Sequence, residues 1–253
     1  MKQPKTYIIY GANSCIGAEL AKMILPLVEN LVLFYHERSD RIESLMNHEK
    51  VKIIQSDVCK FVDLVYRFKK VSEEIDVSDL GVVFLPAVRS QDMMSLKETS
   101  MELTKEIINV NFIGAVHFLK AVLGILNTSP TSTADGGSAR IVMVGSDVSQ
   151  SGLKNGSIYA ATKSAMANLV KSVAMEEGLS NVLINTVSPG PVATFNSYFD
   201  EEYTRFRKEY FETQKALTSL NRVAEVVDIC NLIMFLTSIE NKHISGEEIF
   251  IRG

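Results

Sequence analysis

Residues 6–17 read TYIIYGANSCIG. Thr6–Tyr10 is a short β-branched and aromatic run without alternating charge, the pattern of a strand buried on both faces. It stops at Gly11, and Ile16–Val28 then carries apolar residues at three- and four-residue spacing, which predicts a helix. A strand that passes through a Gly-containing turn into a helix can bring backbone N–H groups and a helix N-terminus against a dinucleotide pyrophosphate. By itself the motif is weak. It has two glycines, Gly11 and Gly17, with Cys15 where a third could stand, and plain turn chemistry explains it equally well.

The alternation continues outward from this stretch. Leu31–Tyr35, Val51–Gln55, Val82–Leu85, Arg140–Val144, Val182–Val187 and Glu248–Ile251 read as further strands, and Glu102–Leu126, Ile158–Glu177 and Val223–Leu236 as further helices. Strands alternating with helices imply right-handed βαβ units. The expectation is an α/β fold of three layers, a doubly wound parallel sheet of about seven strands with helices on both faces. No linker or repeat divides the chain, and 253 residues lie near the limit of one hydrophobic core, so residues 1–253 are expected to form a single domain.

Composition removes several functional classes. Lys and Arg total 26 against 30 Asp and Glu, for a net charge of −4, which supplies no broad basic face for nucleic acid or anionic lipid. No uninterrupted apolar run approaches the roughly 18 residues of a bilayer span, and the stretch after Lys2 and Lys5 is too short for a secretory signal. A cytoplasmic protein without a membrane or nucleic-acid partner is therefore expected. Cys15, Cys59 and Cys230 form no close pair, and His48, His117 and His243 have no metal-ligand spacing, so no metal is expected. The ten methionines are spread as core filler.

Chemistry enters at Tyr159-Ala160-Ala161-Thr162-Lys163, which sets a phenol and an ammonium four residues apart on one helix face. A neighbouring cation favours phenolate and so suits a phenol to proton transfer near neutral pH. Chance supplies such pairs, and Tyr66/Lys70 is a second one. Context separates them. Ser146 lies thirteen residues before Tyr159, just past the strand Arg140–Val144, whereas the corresponding residue before Tyr66 is Ile53. Asn111 sits in the long helix preceding that strand. Taken singly, Ser146 could be a turn hydroxyl and Asn111 a side chain capping nearby backbone.

Together, in this order and spacing, these residues resemble the short-chain dehydrogenase/reductase family in its short single-domain branch, over essentially the whole chain. The resemblance implies a Rossmann fold and a catalytic tetrad of Asn111, Ser146, Tyr159 and Lys163. Tyr159 would be the general acid in carbonyl reduction and the base in alcohol oxidation. Ser146 would hydrogen-bond the reacting oxygen, Lys163 would hold the nicotinamide ribose, and Asn111 would anchor a water in the proton relay. It also implies a cofactor site formed by Gly11, Asn13, Ser14, Cys15, Ile16 and Gly17, by Asp57 and Val58 at the adenine, by Ala87, by Tyr159 and Lys163, and by Pro189, Gly190, Val192 and Thr194. Two departures stand out: the family's TGxxxGxG is here YGANSCIG, and its NNAG is Leu85-Pro86-Ala87-Val88. They leave open a second reading, a family member turned nucleotide sensor or scaffold.

Cofactor choice turns on Phe34-Tyr35-His36-Glu37-Arg38-Ser39 at the end of the second strand. His36, Arg38 and Ser39 can donate to a 2′-phosphate, Tyr35 stands where NAD-preferring relatives carry Asp, and Glu37 could accept from a ribose. NADP(H) is favoured over NAD(H). The substrate reads only as a small ketone, sugar or 3-oxoacyl thioester, whose pocket would be lined by Asp147, Val148, residues 150–155 and residues 194–217. The charged and aromatic stretch after Pro189-Gly190-Pro191 is expected to act as a lid, or else is an ordinary surface helix. Residues 127–139, NTSPTSTADGGSA, read as an exposed connection. Small residues along the Tyr159 helix, Ala167 among them, allow close helix approach, and the family resemblance implies a homodimer or homotetramer joined through that helix and Glu102–Leu126.

Overall fold

The computed structural model describes residues 1–85, 94–126, 139–194 and 201–253. Seven strands, β1 (Thr6–Tyr10), β2 (Asn30–Tyr35), β3 (Val51–Gln55), β4 (Leu80–Phe84), β5 (Ala139–Val144), β6 (Val182–Pro189) and β7 (Glu248–Ile251), form one sheet in the order β3-β2-β1-β4-β5-β6-β7. Every pairing is parallel. The order reverses between β1 and β4, so the carboxyl ends of these two strands flank the crevice where open α/β sheets bind ligands.

Eight α-helices occur among the described residues: α1 (Cys15–Ile24), α2 (Phe61–Glu74), α3 (Met101–Ile108), α4 (Gly114–Leu126), α5 (Val148–Ser151), α6 (Ser157–Glu177), α7 (Glu201–Lys215) and α8 (Val226–Thr237). Strand residues alternate between two cores. Ile8, Val32, Val82 and Ile141 pack with α2, α4 and α6 through Phe68, Phe118 and Val170, while Tyr7, Ile9, Leu33 and Val83 pack with α1 and α8 through Leu20, Ile24 and Ile233. These are the two outer layers of a three-layer fold.

The structure corrects several boundaries. The first helix ends at Ile24 rather than Val28, because Pro26 lacks the N–H to continue it and Leu25–Leu27 tighten into a 3₁₀ turn. The long helix predicted over Glu102–Leu126 is broken by a π-helical turn at Asn109–Ile113. α2 was not expected from the pattern: its sequence is highly charged, yet Leu64, Phe68 and Val71 fall at helical spacing and are buried. The helical stretch Met101–Leu126 has the length and composition of a membrane span, with mean hydropathy 1.6, although its residues are broken by polar ones in sequence. Its apolar character has a nearer cause, since Ile107, Phe118, Leu119, Val122 and Ile125 are buried against the rest of the chain. Ala167 is only 3% exposed, so it does not face outward as the expected helix contact required; the outward small residues of α6 include Ala161, Ser164 and Ser172.

Candidate active site

At the end of β1 the chain turns at Gly11, whose φ of +87° lies in the left-handed region that glycine adopts without strain. The Gly11 and Ala12 amides both bond the Phe34 carbonyl, at 3.0 and 2.9 Å, and Leu85 N bonds Tyr10 O at 2.9 Å. The turn is thereby tied to both neighbouring strands. Ser14 caps α1, its hydroxyl accepting from Gly17 N at 3.0 Å. Gly17 must be glycine, since a methyl group there would lie 2.5 Å from the Gly11 carbonyl oxygen. Cys15 occupies the first position of α1, where no positive φ is needed, so the change from glycine leaves the turn intact.

Tyr10, the other departure in this motif, points away from the turn into the core. It lies beside Phe34, Phe84 and Phe118 with ring centroids 5.4–5.7 Å away, and its hydroxyl donates to Ser56 O at 3.1 Å. Burial raises its phenol far above the usual range. It is a structural side chain.

A cavity of about 510 Å³ opens beyond these strand ends, and its lining brings together Ser14 and Ile16 of the turn, Leu85 after β4, Ser146 and Asp147 after β5, Tyr159 and Lys163 of α6, Pro189–Val192 and Thr194 after β6, and Arg207, Tyr210, Phe211 and Gln214 of α7. The expected lid helix thus borders the same space as Ser146, Tyr159 and Lys163, while Asn111 lies behind that wall. Arg207 fastens it, donating to Thr194 O at 3.1 Å and Thr194 Oγ1 at 2.9 Å while its guanidinium lies 4.7 Å from the Phe211 ring centroid.

Lys163 is 1% exposed, with Nζ donating to Val144 O at 3.1 Å and standing 5.7 Å from the centre of the Tyr159 ring. Burial pulls its ammonium down to about 8, because a charge in an apolar surround loses its hydration. Asn111 lies in the π turn, fully buried, and its Nδ2 donates to Thr162 Oγ1 at 3.2 Å. The extra residue of a π turn rotates the following side chains relative to a regular helix, and such turns recur at functional sites. Gly114 follows at its end, where a methyl group would meet Val58 Cγ1 at 2.7 Å. Ser146 Oγ donates to Asp147 Oδ1 at 3.3 Å. Burial raises the Asp147 carboxyl above its ordinary range, an effect partly offset by that hydrogen bond and by the field of Arg252.

The remaining predicted residues take more structural positions. Asn13 bridges the turn to the loop after β2: its Nδ2 donates to Asp40 Oδ1 at 3.1 Å and its Oδ1 accepts from Arg41 N at 2.8 Å. Arg38 pairs with the same Asp40 oxygen at 3.1 Å, and His36 lies exposed beside Glu37. Ser39 O accepts from Ile42 N at 2.9 Å. Asp57 accepts from Cys59 N at 2.9 Å, and the buried Val58 offers its carbonyl to His117 Nδ1 at 2.9 Å. Ala87 and most of residues 127–139 lie outside the described residues. Sequence reasoning did not find Asp40 and Arg41, although both follow Arg38 in the same loop, nor Thr162, which stands inside the Tyr-Lys motif. No group of three metal-ligating side chains occurs among the described residues.

The chain fits a dinucleotide on its own geometry. Gly11 and Gly17 make a backbone cradle that side chains would fill, the capped N-terminus of α1 opens onto the cavity through Ser14 and Ile16, and the buried Lys163 amine stands at its wall. A parallel sheet of this order, with a Gly-containing turn leading into a helix at its switch point, is a Rossmann-type nucleotide-binding fold. The profile described as enoyl-(acyl carrier protein) reductase matches residues 11–253, and the chain belongs to the short-chain dehydrogenase/reductase family. The chain is 25% identical over 258 residues to the 3-oxoacyl-[acyl-carrier-protein] reductase FabG of Staphylococcus aureus (strain N315), covering 100% of this chain and 98% of that protein. It is 26% identical over 204 residues to the NADPH-dependent aldehyde reductase 2, chloroplastic, of Arabidopsis thaliana, covering 81% of this chain and 71% of the relative. Among solved structures, a glucose/ribitol dehydrogenase of this family from Brucella melitensis superposes with a TM-score of 0.83 at 23% identity, over 99% of this chain and 97% of the other. ElxO with NADP bound gives 0.82 at 22%, over 98% and 97%. Family membership makes the protein an oxidoreductase rather than the sensor or scaffold of the second reading.

Proposed function

We propose that the protein reduces the carbonyl of a small molecule to a secondary alcohol with NADPH, using Tyr159 as proton donor. The observation that carries this reading is the buried Lys163, held by Val144 O beside the Tyr159 ring on the wall of a cavity that also receives Ser146. When bound, the reduced nicotinamide supplies a hydride to the carbonyl carbon. Charge then develops on the carbonyl oxygen. Ser146 donates a hydrogen bond to that oxygen and Tyr159 transfers its phenolic proton to it, so the product leaves as a neutral hydroxyl. Lys163 stabilises the phenolate left behind, and in the opposite direction that phenolate is the base that takes the alcohol proton. Asn111, fixed by Thr162 one residue before Lys163, acts behind the pair in returning a proton from solvent.

The cofactor site includes Gly11, Asn13, Ser14, Cys15, Ile16, Gly17, Asp57, Val58, Pro189, Gly190, Val192 and Thr194, and the loop carrying His36, Arg38 and Ser39 favours NADPH over NADH. Arg38 and Arg41 flank that loop with cationic groups suited to a 2′-phosphate. Tyr159→Phe keeps the ring and removes only the exchangeable proton. Its expected result is unchanged NADPH binding by fluorescence titration with carbonyl-dependent NADPH oxidation lowered at least 1000-fold, about 4 kcal/mol of transition-state stabilisation. A rate within tenfold of the parent would reject Tyr159 as the donor.

A further inference from the structure

The wall of the cavity next to Ser146 carries a group that the proton-transfer machinery does not use. Asp147 follows Ser146 directly, and its Oδ1 accepts the Ser146 hydroxyl at 3.3 Å. Its other oxygen faces the Gly190 backbone, where a methyl group built on Gly190 would lie 3.5 Å from Oδ2. The backbone is pinned on the same side, Asp147 N bonding Pro189 O at 2.9 Å, so the carboxylate is held at the cavity wall by β5 and β6 together. The cation whose field reaches Asp147 is Arg252, and that guanidinium is bonded to Gln150 Oε1 at 2.6 Å and stacked 4.0 Å over Phe250.

Asp147 already accepts from Ser146 and from the Val148 backbone N–H, yet burial still raises its carboxyl, so a ligand that displaces its remaining water is favoured when it supplies a further donor. An alkyl chain laid against it would remove its remaining water and return nothing. A ligand ammonium would pair with Asp147, but it would share the cavity with the cations of Arg207 and Lys163. A neutral hydroxyl meets both conditions. Oxygens on adjacent carbons lie about one hydrogen-bond length apart, which matches the 3.3 Å between Ser146 Oγ and Asp147 Oδ1.

We propose, resting on the reductase reading above, that Asp147 selects hydroxylated carbonyl substrates, accepting a hydrogen bond from a hydroxyl on the carbon next to the reacting carbonyl. In the complex Asp147 exchanges the Ser146 proton for the substrate hydroxyl proton, and Ser146 is turned toward the carbonyl oxygen. The carboxylate is a specificity group and takes no part in the proton or hydride inventory of the reduction. The substrate class is polyol-like, an α-hydroxyketone or ketose, and not the long 3-oxoacyl thioester of the bacterial relative's name.

The test compares kcat/KM for 1-hydroxy-2-butanone, 2-butanone and acetoacetyl-CoA with NADPH, in the parent protein and in Asp147→Ala and Asp147→Asn. The parent should prefer the hydroxyketone over butanone by about 10- to 100-fold, the worth of a hydrogen bond to a charged acceptor. Asp147→Ala should erase most of that ratio, and Asp147→Asn, whose amide oxygen still accepts, should retain part of it. NADPH titration of each variant reports whether the fold is kept, and the ratio itself is insensitive to a uniform loss of activity. A parent ratio near one, a ratio that survives in Asp147→Ala, or acetoacetyl-CoA as the better substrate would overturn the assignment while leaving the reductase reading in place. If no carbonyl at all supports NADPH oxidation, the reductase reading itself fails and takes the assignment with it.

Discussion

Lys163 Nζ donates to the carbonyl oxygen of Val144, 19 residues earlier, at 3.1 Å in an environment where the lysine is 1% exposed. The last residue of β5 therefore holds the ammonium of α6, and the strand that presents Ser146 also sets the cation beside Tyr159. Because burial lowers this amine to about 8, its proton is bound less tightly in the folded protein than in the unfolded chain.

The sign of the consequence follows from linkage. A lysine at 10.5 when unfolded and about 8 when folded costs the native state about 3 kcal/mol below pH 8, and stability rises with pH between about 8 and 10.5 as the native amine sheds its proton. Lys163→Met should therefore stabilise the cofactor-free protein at pH 7, by up to that amount less the lost bond to Val144, and flatten the rise above pH 8. Urea titrations of both proteins at pH 7, 8.5 and 9.5 check this. Parallel pH profiles would contradict it.

Gly17→Ala tests the cofactor turn. The added methyl would press against backbone, 2.5 Å from Gly11 O and 2.9 Å from Ala12 Cα, and backbone cannot rotate aside. A loss of about 1–3 kcal/mol in folding stability is expected, with NADPH affinity reduced more than tenfold. Calorimetry and fluorescence titration read the two effects separately.

Arg38→Ala should weaken NADPH binding about tenfold while leaving NADH binding within about twofold, as expected for a lost charge-assisted bond to one phosphate. Asp40→Asn should do the opposite, since Asp40 holds the Arg38 guanidinium at 3.1 Å and its charge opposes an incoming phosphate. Equal losses for both cofactors in Arg38→Ala would remove the 2′-phosphate assignment.

Glu248 on the terminal strand supports the loop after Ser146. Its Oε1 accepts from the fully buried Ser188 at 2.7 Å and also from Ser149 of α5, two residues beyond Asp147. Glu248→Leu leaves the Ser188 hydroxyl without its acceptor, at a cost of about 1–3 kcal/mol. At roughly 2–4 °C per kcal/mol for a chain of this size, the melting temperature should fall by several degrees. Glu248→Gln keeps an acceptor oxygen and should melt near the parent. Identical melting of the two variants would sink this reading.

Much of the site could be read before any coordinates. Tyr159 and Lys163 share a helix face because a four-residue spacing is one helical turn, and that relation is local. Ser146 could be placed because its strand is a continuous apolar run ending at Gly145. The pattern is weaker wherever a partner far along the chain decides the outcome. Asn13 joins Arg41, Asp147 N joins Pro189 O, and Glu248 joins Ser149 and Ser188 across about a hundred and about sixty residues respectively. The last three elements meet only because β5, β6 and β7 lie side by side.

The sequence by itself determined the seven strands, most of the helices and the single sheet with apolar strands buried on both faces, because these rest on periodicities of two and 3.6 residues; Asn111, Ser146, Tyr159 and Lys163 are named as a candidate tetrad by the family resemblance that their order and spacing carry. The tertiary structure alone decided that β1 and β4 pair at the switch point, that a π turn carries Asn111, that Ala167 is inward, and that Lys163 is desolvated against Val144 O. Each of these depends on which distant backbone removes water from a group or crowds its Cβ. A helix pattern states which residues share a face, and burial by a neighbouring strand states what charge that face can hold.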